Sequence, residues 1–99
     1  MPESFGTRLG RALATRGPVC AGIDPHAGLL EAWGLPVNVQ GLAEFSKRAL
    51  DGLSEAAAIK PQSAFFERFG AAGVAVLEEL LQSARERGVI TILDVKRGD

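Results

Sequence analysis

Asp94, Lys96 and Asp99 fall within six residues of one another, and their spacing is the first hint of chemistry in this sequence. On an extended segment side chains alternate at period two, so Ile90, Ile92, Asp94 and Lys96 project one way while Thr91, Leu93 and Val95 face the helices. An aspartate and a lysine two residues apart on one strand face lie within contact range. A partly buried lysine flanked by carboxylates keeps its proton, which suits it to protonate a developing carbanion rather than to attack as a free amine. A carboxylate about 4 Å from a substrate carboxylate repels it by roughly 4 kcal/mol at an effective dielectric near 20. Together these properties fit decarboxylation followed by protonation. The same residue types also describe a structural ion pair at a strand end, and types alone leave both readings open.

Two further charged residues close apolar runs. Asp24 follows Val19-Cys20-Ala21-Gly22-Ile23, and Lys60 follows Ala56-Ala57-Ala58-Ile59. Each has a plainer alternative: Asp24-Pro25 is a common turn opener, and Lys60 before Pro61 also reads as a solvated strand end. His26 lies two residues from Asp24, but one histidine without further ligands makes a weak metal site. Cys20 reads as a small apolar strand residue. Phe65, Phe66 and Phe69 read as packing for a lip that could also border a flat ring. Arg97-Gly98-Asp99 spells an adhesion tripeptide, three common residue types with no secretory context around them.

The elements that must position these residues follow from periodicity. Phe5, Leu9, Ala12 and Leu13 share a helical face that Ser4 can cap and Gly17-Pro18 can end. Val19 to Ile23 reads as a strand buried on both faces. Residues 25–38 read as a long, partly packed loop, after which Asn38 caps a helix with Leu42, Phe45, Ala49, Leu50 and Leu53 on one stripe. Glu44, Lys47, Arg48 and Asp51 fall on its other side. Ala56 to Lys60 is too short for a helix, and the proline after it favours extended geometry. Gln62 to Gly70 forms the Phe-rich lip. Val74, Leu77, Leu80, Leu81 and Ala84 mark a third helix, closed by Arg85, Arg87 and Gly88. Its charged residues Glu78, Glu79, Arg85, Glu86 and Arg87 read as a solvated face. Val89 to Val95 is the third strand.

The order α, βα, βα, β argues for a parallel sheet flanked by helices, with both edges open and more sheet to follow. Asp24, Lys60 and Lys96 stand 36 residues apart, a period that belongs to the βα unit. In such folds the carboxyl ends of the strands share the rim that carries chemistry, while the opposite rim supports the fold.

Composition sets the outer bounds. The chain has 99 residues, 46% of them hydrophobic, and a formal net charge of -1, so it can form a core and offers no basic field for nucleic acid. One cysteine excludes an internal disulfide. With neither a secretory apolar region nor an apolar run of about 18 residues, the compartment reads as cytoplasmic, with no membrane partner.

Asp94-Val95-Lys96-Arg97-Gly98-Asp99 matches the D-x-K-x-x-D signature of the orotidine 5'-phosphate decarboxylase family. The stretch from Ala58 to Glu67 resembles the second-strand segment of its bacterial type 2 branch, and Gly22-Ile23-Asp24-Pro25-His26 resembles its first-strand end. The resemblance covers essentially the whole chain. Related sugar-phosphate decarboxylases and hexulose-phosphate synthases share D-x-K-x-x-D but carry a Glu-centred second strand and magnesium; Lys60 favours the orotidylate enzyme.

The resemblance implies a (β/α)8 barrel. Residues 1–99 would form a partial barrel domain with about three of its eight strands, the C-terminal part being missing. It implies conversion of orotidine 5'-monophosphate to uridine 5'-monophosphate and carbon dioxide, with no metal and no cofactor, in a cytoplasmic homodimer. Asp24 would bind a ribose hydroxyl, and Lys60 would join a charged network beneath ribose and carboxylate. Asp94 would crowd the departing carboxylate, Lys96 would protonate C6 of the pyrimidine, and Asp99 would act on the partner's ribose. The family's phosphate-gripping residues and closing loop belong to later βα units, so the chain alone is expected to be inactive. The alternatives are a magnesium-dependent sugar-phosphate enzyme of the same suprafamily, or a non-catalytic half-barrel pairing through its open strand edges.

Overall fold

The computed structural model describes residues 4–95. Helix α1 (Phe5–Arg16) opens it, with the Ser4 hydroxyl accepting from the Thr7 N–H as the cap. Strand β1 (Cys20–Ile23), helix α2 (Ala27–Ala32) and helix α3 (Val39–Leu53) follow. Strand β2 (Ala58–Pro61), a short α4 (Ala64–Glu67), helix α5 (Gly70–Glu86) and strand β3 (Ile90–Thr91) complete the order. The strands form one parallel sheet in the order β1-β2-β3. No helix among the described residues is long and apolar enough to cross a membrane.

Helices α3 and α5 cover one face. Leu42, Phe45, Ala49 and Leu50 from α3 and Leu77, Leu80 and Ala84 from α5 bury against Ile23, Ile59 and Phe66 in one cluster. Asn38 starts α3 as expected, its Oδ1 accepting from the Gly41 N–H at 2.9 Å, and Gly88 ends the α5 region at φ 73°. Gly73 lets α5 approach the lip closely, because a side chain there would run into the Phe66 carbonyl.

Helix α1 covers only the lower end of the other face, where Ala12 and Leu9 meet Ala58 and Ile90. The expected apolar face of α1 is therefore only partly used: Phe5 and Leu13 remain exposed. At the same lower rim Arg16 donates to the Ser54 carbonyl and, at 3.0 Å, to the Arg87 carbonyl. It ties together the ends of two connections, a supporting role.

The structure corrects four expectations. Strand β1 is not buried on both faces; only Ile23 is, while Cys20 and Gly22 are open to solvent, since α1 stops short of them. The loop at 25–38 contains α2, capped by His26, whose Nδ1 accepts from the Leu29 N–H. Strand β3 spans two residues where seven were expected. Pro61 explains that shortening: it has no N–H to donate to the Ile92 carbonyl, so the ladder breaks there. Pairing resumes one step later, with Asp94 N–H donating to the Pro61 carbonyl at 3.0 Å and Gln62 bridging to Asp94. Leu93 and Val95, expected to face helices, are 41% and 46% exposed, because no described residue covers them.

Candidate active site

Register decides which side chains share the rim. Cys20, Ala58 and Ile90 stand in one row across the sheet, on the face opposite α3 and α5. Two residues on, Gly22 pairs with Lys60, and Ile92 continues that row. Two residues further, Gln62 bridges Asp94, and Asp24 continues the same register beyond Ile23↔Pro61. Alternation thus brings Asp24, Gln62 and Asp94 to the upper edge of the open face, with Lys60 one row below. Lys96 and Asp99 lie outside the described residues.

Asp24 and Lys60 are exposed and Asp94 is half-buried. Gly22 beside Lys60 leaves its neighbourhood open, since a Cβ there would meet no atom within 4 Å. The arrangement offers two carboxylates, a carboxamide and an ammonium along one strip, suited to hydroxyl recognition and to opposing a substrate carboxylate.

Sequence reasoning placed Gln62 in the lip and missed it as a site member. The available signal was its position two residues past Lys60, but only the cross-strand register shows that the extended path continues through Pro61.

The lip fastens the rim. The Ser63 N–H donates to the Asp94 carbonyl at 2.9 Å, and the Ser63 hydroxyl to Glu67 Oε2 at 2.7 Å. His26 is used as a helix cap and sits beside the Phe65 ring, with centroids 6.2 Å apart. Phe66 is fully buried, while Phe65 and Phe69 flank the Arg68 guanidinium at 5.9 and 4.7 Å. Among the described residues no group of three His, Cys, Asp or Glu side chains could hold a metal ion.

The fold and rim define a class: successive β/α units of a (β/α)8 barrel, with charged residues at the carboxyl ends of the strands. The sequence matches no family model. It is 56% identical over 97 residues to orotidine 5'-phosphate decarboxylase of Corynebacterium glutamicum strain R, covering 97% of this chain and 35% of that protein. It is 57% identical over 98 residues to the same enzyme of Salinispora arenicola, covering 98% and 35%. A crystal structure from Streptomyces avermitilis, provisionally assigned to that enzyme, superposes with a TM-score of 0.93 at 55% identity, over 99% of this chain and 35% of the other. Leishmania donovani UMP synthase superposes with a TM-score of 0.75 at 36% identity, over 99% and 20%. Over this stretch the chain belongs to the orotidine 5'-phosphate decarboxylase family. It spans about a third of the length of the curated relatives it matches.

Proposed function

We propose that this chain supplies three β/α units to an enzyme that decarboxylates orotidine 5'-monophosphate to uridine 5'-monophosphate, a lyase of pyrimidine biosynthesis acting in the cytoplasm as a homodimer. The observation that carries the reading is the shared rim: Asp24, Lys60 and Asp94 lie on one face within two rows of the sheet, in a chain 56% identical to a decarboxylase of that name. Residues 1–99 form, in this reading, a partial barrel domain.

In the reaction, the bond between C6 and the carboxylate breaks, the electron pair stays on C6, and carbon dioxide leaves. Asp94 stands beside the departing carboxylate and raises the energy of the bound ground state relative to the transition state. Lys96 Nζ then delivers its proton to C6. Lys60 balances the carboxylates around it, Asp24 accepts from a ribose hydroxyl, and Asp99 reaches the ribose bound by the partner subunit. No step calls on a metal or organic cofactor.

The test uses a graft in which these 99 residues replace the matching third of the Corynebacterium glutamicum relative. Lys96→Ala in the graft lowers kcat by about 10²–10⁴-fold, the range for a lost general acid; near-normal turnover sinks the assigned role. Turnover of the graft survives chelator, which separates it from magnesium-dependent sugar-phosphate chemistry. The 99-residue chain alone gives no turnover, and measurable product from it would contradict the reading.

A further inference from the structure

The Asp24 carboxylate makes no hydrogen bond or ion pair among the described residues, so its place is set by the backbone that carries it. That backbone turns sharply. The Gln62 N–H donates to the Ile23 carbonyl at 3.1 Å, fixing the residue before Asp24. The His26 N–H folds back onto the Asp24 carbonyl at 2.7 Å, around a buried Pro25 whose ring fixes φ. The Pro25 carbonyl, at the apex, accepts from Arg68 Nη2 at 3.0 Å.

Arg68 comes 43 residues later in the chain, just past α4. Its guanidinium is set against the Phe65 and Phe69 rings, an arrangement that orders an exposed side chain and leaves its planar fork free to donate. Among the described residues it is the one side chain that hydrogen-bonds the turn to the lip, and a donor carrying full charge makes that bond stronger than a neutral one.

We propose that Arg68 is a positioning residue for substrate binding: by holding the Pro25 carbonyl it fixes the turn that presents Asp24 to a ribose hydroxyl. This rests on the reading of Asp24 given above. Arg68 acts on affinity and leaves the proton transfer at C6 alone.

The experiment measures kcat and KM for orotidine 5'-monophosphate, together with Tm, in the grafted full-length enzyme. Arg68→Ala raises KM about tenfold with kcat within about twofold, the signature of lost ground-state and transition-state binding in equal measure. Arg68→Lys recovers most of the loss, to within about threefold of the parent, because an ammonium over the rings still donates to a carbonyl. In an Asp24→Asn background Arg68→Ala adds less than about twofold, since the two act through one contact. An unchanged KM, a loss of Tm alone, or an equal KM effect in both backgrounds overturns the proposal. If Arg68→Ala does not fold, Arg68→Gln carries the same comparison. A graft with no turnover, or an Asp24→Asn graft equal to its parent, is seen before any Arg68 substitution is made; it refutes the reading of Asp24 and this proposal with it.

Discussion

On the face covered by α3 and α5, Ile23 and Ile59 are 1% and 0% exposed, whereas on the opposite face Cys20, Gly22 and Lys60 are open and only Ala58 and Ile90 are covered, by α1. The covered face carries the main core: α3, α5 and the lip pack on it, joined by Leu30 of α2. The open face holds the charged strip of Asp24, Lys60 and Asp94. The division places the packed core on one side and the candidate site on the other, so the same kind of substitution should cost very different amounts on the two faces.

Four substitutions in the 99-residue chain, followed by urea unfolding, test that division. Phe66→Ala removes a side chain with no exposure from the helix-side cluster, and the unfolding free energy should fall by about 3–5 kcal/mol. A fall below about 1 kcal/mol would mean that the covered face is loosely packed. Gly73→Ala pushes a methyl against the Phe66 carbonyl and to 2.8 Å from the Phe69 Cβ, a strain worth about 1–3 kcal/mol. Asn38→Ala removes the α3 cap and should cost about 1 kcal/mol, visible as a lower urea midpoint at unchanged slope. Gly22→Ala, on the open face, places a methyl where nothing lies within 4 Å and should change stability by less than about 0.5 kcal/mol. A cost at Gly22 comparable with that at Gly73 would break the comparison outright.

Local signals in the sequence located most of the covered face. Ser4 and Asn38 are caps, the Leu42, Phe45, Ala49 and Leu50 stripe has helical spacing, and Gly88 takes the positive φ that stops α5. Such features are decided within a turn or two of chain. What escaped was decided elsewhere. Strand β3 is cut short by Pro61, a residue on its neighbour, and nothing within Val89 to Val95 records that. Helix α2 has six residues, too few for a period, and its cap is a histidine, outside the usual capping set. The openness of β1 depends on how far α1 reaches across the sheet. The candidate site divides the same way: Asp24, Lys60 and Asp94 could be read from strand ends, whereas Gln62 joins them only through a register that a linear sequence does not display.

The strand order of the sheet repeats the chain order, β1-β2-β3, and this bears on how the protein is made. Each strand pairs with the one synthesised just before it, across 38 residues from Cys20 to Ala58 and 32 from Ala58 to Ile90. At about 5–20 residues per second, a ribosome needs roughly 2–8 s to deliver each such unit. Parallel pairing, slow as it is, falls in the millisecond-to-second range typical of non-local contacts. The first pair therefore has time to close before its next partner emerges, and the sheet can grow during translation by adding to one edge, without reopening a pair already formed.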